Sequence, residues 1–484
     1  MNAPIRKLAL VVTAMFCALF VASTWIVYVQ ADELRDKPGN RRTLLASYSQ
    51  ERGAILVAGE AIARSEETSD ELKYQRTYPK GKLNSHLTGY FSFIYGAGGG
   101  LESAENGLLA GDADQLFYRR LGDLLTGRQP SGVSLELTID PRAQEAAQNA
   151  LGNQKGSVVA LDPKTGAILA LISHPQYDPN TLSSHNLDSV QQAWAALNED
   201  SERPLVNRAI GGDLYPPGSV FKIITAAAAL SSGRFDTNSQ LPGPAVLDLP
   251  QTTAGLVNDW RGQCGDGTVN LLQAMEDSCN TAFGWLGMQL GGQALRDEAA
   301  KFGFGQQIGI PMSVTPSTMP EQMNAPQEAQ SAIGQYDVRV TPLQVAMMSA
   351  AVANQGTLMQ PFLVKQTRGS DLEVIDQTAP RELSKATTPE VAGQLTQMME
   401  AVVTSGTGTR ARISGVRVAG KTGTAQHGEG LAPHAWFTGF APADDPAIAV
   451  AVVVEDGGDA GMSAGGGSVA APIARQVMEA VISR

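Results

Sequence analysis

An almost uninterrupted apolar run from Leu8 to Val29 opens the chain and is unlike anything after it. At about 22 residues it suffices to cross a bilayer once as a helix. Arg6 and Lys7 precede it, Trp25 and Tyr28 sit near its far end, and Asp32 and Glu33 follow. Amphipathic aromatics favour the interface, and basic residues before the span with acidic ones after it predict a cytoplasmic N-terminus with everything downstream outside. A cleaved signal peptide is the rival reading, with Val29-Gln30-Ala31 as the small-residue site. Such peptides carry apolar regions of about 7–15 residues, so the length favours an uncleaved anchor.

Residues 32–130 lack long periodic segments and are rich in Gly, Ser and short charged runs, which predicts a small irregular domain beside the membrane. Gly96-Ala97-Gly98-Gly99-Gly100 reads as a loop and not a phosphate cradle, since no strand and helix frame it. The turn signal Gln129-Pro130-Ser131-Gly132 marks a boundary. Beyond it Leu135–Ile139 alternates as a strand, and Asp140-Pro141 caps a helix. Residues 157–161 and 167–172 predict two apolar strands joined by the hairpin turn Asp162-Pro163-Lys164-Thr165-Gly166. Strands recur at 416–419, 436–440 and 448–454, with helices between at 223–230 and 343–353 and a final helix at 469–482. Strands at both ends and helices in the middle predict one largely antiparallel sheet flanked by helices, an α+β fold. The glycine-rich stretch 457–467 reads as a flexible or tightly turned connection, and no internal repeat occurs.

The 484 residues, 43% apolar and 17% charged, fit an ordered protein of two or three domains. A formal charge of −12 with no basic stripe argues against nucleic-acid binding. Of three cysteines Cys17 lies in the apolar run, leaving Cys264 and Cys279. In an oxidising compartment these can form a disulfide, closing a loop of about 15 residues; two free thiols are the alternative.

Chemistry enters with Tyr215-Pro216-Pro217-Gly218-Ser219-Val220-Phe221-Lys222. A serine and a lysine three apart on a helix share one face, the geometry of a lysine-activated nucleophile. Alone, the pair equally describes a serine cap and a snorkelling lysine. Lys222, however, leads into the apolar stretch 223–230, where partial desolvation favours its neutral amine. Ser278-Cys279-Asn280 follows a predicted helix over 269–277 and offers a hydroxyl and an amide. Lys421-Thr422-Gly423-Thr424 ends a predicted strand and offers a cation for a carboxylate, with Gly423 admitting a substrate backbone. The same letters recur as decoys in Lys164-Thr165-Gly166, a hairpin turn, and in Ser184-His185-Asn186, a polar loop. Order and context select Ser219, then Ser278, then Lys421. Five histidines show no paired helical spacing; His427 and His434 read as structural or loop residues, and neither a metal nor a cofactor is expected.

The ordered S-x-x-K, S-x-N and K-T-G triplets resemble those of the penicillin-recognising serine acyltransferases. Arg52-Gly53-Ala54-Ile55, Gly100-Leu101-Glu102, Leu137-Thr138-Ile139-Asp140 and Asp178-Pro179-Asn180 are similar to motifs of class B penicillin-binding proteins. So are Thr341-Pro342-Leu343-Gln344, Gly406-Thr407-Gly408-Thr409 and His434-Ala435-Trp436-Phe437. The likeness is greatest to the short actinobacterial PbpA-type proteins and covers nearly the whole chain. One departure is the region after Arg52, which lacks the fuller Asp-Arg-x-Gly ending of the usual N-terminal motif and puts partner docking by that segment in doubt.

The resemblance implies a serine β-lactamase-like transpeptidase fold with a five-stranded sheet. It divides the chain into a cytoplasmic stub and anchor (1–31), a membrane-proximal pedestal domain (32–130) and a transpeptidase domain (131–484). About 100 residues between anchor and transpeptidase are too few for a glycosyltransferase domain. No room for sugar-binding modules is expected after the last helix. Implied too are D,D-transpeptidase activity on peptidoglycan stem peptides and acylation of Ser219 by β-lactams. Lys222 would act as base, Ser278 as proton relay and Asn280 as a clamp on the peptide backbone, while Lys421, Thr422 and Thr424 would hold the terminal carboxylate and Gly423 would admit the substrate backbone. The implied location is the cell membrane, with the catalytic domain outside and cell-wall synthesis proteins such as a SEDS-type glycosyltransferase as partners. Two other readings stay open: a D,D-carboxypeptidase or β-lactamase using water, and a penicillin-binding sensor or scaffold without turnover.

Overall fold

The computed structural model describes residues 2–30, 48–70, 72–117, 131–369 and 373–483. Ala31, Asp32, Glu33 and the Gln129-Pro130 half of the expected boundary lie outside the described residues. The apolar run forms helix α1 (Asn2–Tyr28), and its stretch Ala3–Tyr28 is long and apolar enough to span a membrane, with mean hydropathy 2.3. Among the described residues, none buries an apolar side chain of this helix.

Two larger sheets organise the remainder. Their strands in chain order are β1 (Ile55–Val57), β2 (Glu60–Glu67), β3 (Tyr74–Thr77), β4 (Ser134–Leu137), β5 (Gly156–Leu161) and β6 (Ile168–His174). β7 (Val364–Arg368), β8 (Val374–Gln377), β9 (Ala419–Ala425), β10 (His434–Ala441) and β11 (Ile448–Val454) follow. The first sheet runs β8-β7-β4-β1-β2-β3, and its one parallel pair is β1 with β4. The second runs β9-β10-β11-β5-β6 and is antiparallel throughout.

The single sheet expected from the sequence is therefore two. Ser134–Leu137 does not join the five-stranded sheet; it pairs with β1 and β7, so strands from either side of residue 130 share one sheet. Nor is the segment after residue 48 irregular. Its strands are short and partly polar, with β2 reading from exposed Glu60 to buried Ala63, and their partners come from far along the chain. A buried ion triad braces this layer: Glu102 accepts from Arg52 Nε and Arg76 Nε, each at 2.6 Å. Burial would raise the Glu102 carboxyl, but the two guanidinium groups outweigh it and hold it below its ordinary value. Gly96–Gly98 in the glycine-rich stretch pairs with Tyr90–Ser92 as a small hairpin.

The five-stranded sheet carries apolar side chains on both faces, and every residue of β11 is buried. Val158, Val450 and Val452 face α2 (Pro141–Leu151) and the last helix, whose Ala474, Val477 and Val481 complete that layer. Val159, Ala451 and Val453 face the opposite layer, which holds the buried helices α3 (Lys222–Ser231) and Pro342–Ala353. Burying a valine-sized side chain is worth about 1.5–3 kcal/mol, so this two-faced sheet is a rigid platform for the residues along its β9 edge.

Candidate active site

Ser219 lies in a short 3-10 turn, Gly218–Phe221, that leads directly into α3. Gly218 is there for a physical reason: its φ is +54°, and a Cβ on it would fall 2.7 Å from the Thr424 carbonyl oxygen. The turn is seated from several sides. Gly218 N–H donates to the Gly334 carbonyl at 2.9 Å, and Trp436 Nε1 donates to the Pro216 carbonyl at 3.2 Å. Ser219 itself is 5% exposed, and its hydroxyl makes no hydrogen bond to a protein group among the described residues.

Lys222 is fully buried one turn on. Its Nζ donates to Ser278 O and Asn280 Oδ1, both at 2.7 Å, and lies 3.2 Å from Ser278 Oγ and 5.5 Å from the Phe283 ring centre. Burial, and then the neighbouring Lys421 charge, push its amine well below the ordinary lysine value despite Asp259. A neutral amine has two N–H groups, and two carbonyl oxygens take them, which leaves its lone pair for a hydroxyl proton.

Ser278 and Asn280 come from the tight link between helix Leu271–Glu276 and helix α4 (Asn280–Leu290). The first of these is shorter than the expected 269–277 because Thr268–Asn270 is a strand and Asn270 is the cap. Ser278 has a φ of +60°, a left-handed conformation that costs about 1–3 kcal/mol and aims its hydroxyl between two lysines. Cys264 and Cys279 are joined in a disulfide with Cα atoms 6.2 Å apart, tying the 258–264 loop to this link. Asn258 Oδ1 in that loop accepts from Asn280 N (2.8 Å) and Thr281 N (3.1 Å), satisfying the free amides at the start of α4. The Asn280 amide donates to Val257 O at 3.2 Å and Asp259 Oδ1 at 3.1 Å.

Lys421-Thr422-Gly423-Thr424 sits in the middle of β9, not at its end. Val416 and Val418, whose alternation suggested an earlier strand, lie in the turn before it. Lys421 is fully buried and donates to Ser278 Oγ at 2.8 Å and Thr422 O at 2.9 Å. Burial lowers its pKa to about 7, against the pull of Asp259. Thr422 shares a 2.6 Å hydrogen bond with Thr407, and Thr424 is the one partly exposed residue of the strand. Gly423 admits the turn of Ser219: a Cβ there would meet Pro217 O and Val220 Cγ1 at 3.1 Å.

The structure thus brings Ser219, Lys222, Ser278, Asn280 and Lys421 into one cleft between the β9 edge and the helical layer. The decoys stay apart from it: Lys164-Thr165-Gly166 is the β5–β6 turn, and Asn186 caps the helix Leu187–Glu199. Asn258, Asp259 and Thr407 were missed as site residues. Thr407 lay within a motif of the resemblance, but Asn258 and Asp259 carried only one signal, their closeness to a cysteine. Beside the cleft a cavity of about 420 Å³ opens, lined by Tyr215, Gln426, His427 and His434 among others. On its floor Glu455 accepts from Tyr215 Oη (2.6 Å) and Arg208 Nε (2.8 Å). His427, His434 and Asp456 cluster there too. The two rings stack 3.8 Å apart at 9°, and His434 Nδ1 accepts from Asp456 N.

Residues 156–479 match the penicillin-binding protein transpeptidase domain, and residues 52–135 match the penicillin-binding protein A dimerisation domain. The peptidoglycan D,D-transpeptidase PbpA of Mycolicibacterium smegmatis is 43% identical over 492 residues, covering 100% of this chain and 99% of that protein. The Mycobacterium tuberculosis protein of the same name is 43% identical over 495 residues, with the same coverage. Among solved structures, the penicillin G acyl-enzyme complex of M. tuberculosis penicillin-binding protein A superposes with a TM-score of 0.85 at 43% identity, covering 90% of this chain and 100% of that one. On these matches the chain belongs to the penicillin-binding protein transpeptidase family and, within it, to the class B proteins of the PbpA type.

Proposed function

We propose that this protein is a peptidoglycan D,D-transpeptidase that works through an acyl-enzyme on Ser219. One observation carries the reading: Ser278 Oγ lies within hydrogen-bond reach of both Lys222 Nζ (3.2 Å) and Lys421 Nζ (2.8 Å), amines from two different elements. A hydroxyl between a desolvated amine and a second lysine is a proton path from the nucleophile's base to a leaving group.

Ser219 Oγ attacks the carbonyl between two terminal D-alanines, and its proton passes to Lys222. Backbone N–H groups of Ser219 and Thr424 hold the oxyanion, each donor worth about 2.7–4 kcal/mol. The proton then moves through Ser278 to the departing D-alanine nitrogen as the C–N bond breaks. Lys421, Thr422 and Thr424 bind the terminal carboxylate, and Asn280 clamps the peptide backbone. An amine of a neighbouring stem attacks the ester, gives its proton to Lys222, and restores Ser219. A β-lactam enters the same first step and leaves slowly. The first helix anchors the protein with its N-terminus in the cytoplasm, residues 32–130 form the pedestal, and a SEDS-type glycosyltransferase is a fitting partner in the membrane.

A stem-peptide thioester offered together with a D-amino acid distinguishes the acceptors. The expected outcome is an aminolysis product that grows with acceptor concentration. Hydrolysis alone would replace transpeptidation by the carboxypeptidase reading.

A further inference from the structure

Both N–H groups of the Asn280 side chain are occupied. Its Oδ1 accepts from Lys222, and its two N–H groups go to Val257 O and Asp259 Oδ1. A primary amide has two N–H groups and no more. Binding a substrate carbonyl at Asn280 therefore requires one of the two present acceptors to leave. Val257 O is main chain, on a strand paired with Val246–Asp248 and next to Asn258, which is itself bonded to Asn280 N and Thr281 N. Asp259 is an exposed residue of the turn after that strand and accepts through its side chain, so it can leave the amide without moving the main chain.

We infer that Asp259 is a specificity-determining residue that occupies, in the free enzyme, the place on the Asn280 amide that the acyl donor's backbone carbonyl takes. The loop carrying it is fastened at Cys264 through the disulfide to Cys279, the residue beside Asn280, so the competitor is held at the site. Donors that present a well-placed amide carbonyl displace it; donors without one meet a carboxylate instead and bind less well. This rests on Asn280 acting as the backbone clamp in the acyl-transfer reading above.

The test separates binding from acylation with a fluorescent penicillin, whose side chain carries an amide carbonyl. It is run at pH 6, below the value of about 7 at which Lys421 loses its proton. Asp259→Ala is expected to tighten the non-covalent step about three- to tenfold, the range of one hydrogen bond no longer competed for. Asp259→Asn, which keeps the shape and a weaker acceptor, gives a smaller gain of the same sign and serves where the alanine variant folds poorly. In an Asn280→Ala background Asp259→Ala is expected to change nothing. Unchanged or weaker binding in Asp259→Ala, or the same gain with Asn280 absent, overturns the inference while leaving Ser219 acylation intact. A wild-type protein that never labels would instead remove the acyl-transfer reading beneath it.

Discussion

Two buried lysines that differ in role but not in kind set the chemistry of this site. Both are stripped of water, and the Lys421 charge makes a charge on Lys222 more costly still. Lys222, with the Lys421 charge beside it, is held well below its usual value, as the proposed base requires. Lys421, lowered to about 7, must keep its proton if it is to hold a carboxylate in the proposed reaction. A lowered lysine pKa means that the cation is lost as pH rises through the new value, so binding of the acyl donor weakens on the alkaline side. The second-order rate constant for penicillin acylation, followed from pH 5 to 9, is expected to fall above about 7. In Lys421→Arg, whose guanidinium stays protonated over that range, the fall disappears from a lower plateau. An alkaline limb that survives the substitution would show that another group carries it. The sequence exposed both lysines through their triplets. It hid Asp259, because nothing in a polar loop announces that its carboxylate will face an amide 21 residues later.

The helices and strands that present these residues were legible where burial is two-sided or caps are strong. β11 reads as an unbroken apolar run, and α2 begins on the Asp140 cap that accepts from Arg142 N. What failed was pairing. β4 has the alternation of a core strand, yet it serves the first sheet, since alternation records one buried face and not which partner buries it. The turn before α3 was legible from Pro-Pro-Gly, and its closeness to β9 gives a direct test. In Gly218→Ala the new Cβ meets the Thr424 carbonyl and the backbone loses a conformation that alanine disfavours. Penicillin acylation is expected to slow by about tenfold or more, while the melting temperature falls by only a few degrees. A variant that acylates at the wild-type rate would mean that the contact between this turn and β9 does not set the position of Ser219.

At the scale of the molecule, a layer braced by the Glu102 triad lies beside a two-faced sheet whose β9 edge meets the turn of Ser219. The three motifs whose order was read along the chain meet in one cleft, and each comes from a different element: a turn before a helix, a link between helices and an edge strand. Their convergence was not legible in any one of them. It required the β9 edge to lie against the Ser219 turn, which the small residues Gly218 and Gly423 permit. The central claim is that Ser219 is the nucleophile, and intact-protein mass spectrometry after incubation with penicillin G, followed by peptide mapping, tests it most directly. The account predicts one added penicilloyl group on the wild type, carried by the peptide containing Ser219, and none on Ser219→Ala. An adduct on the alanine variant, or one mapped to Ser278, would contradict it.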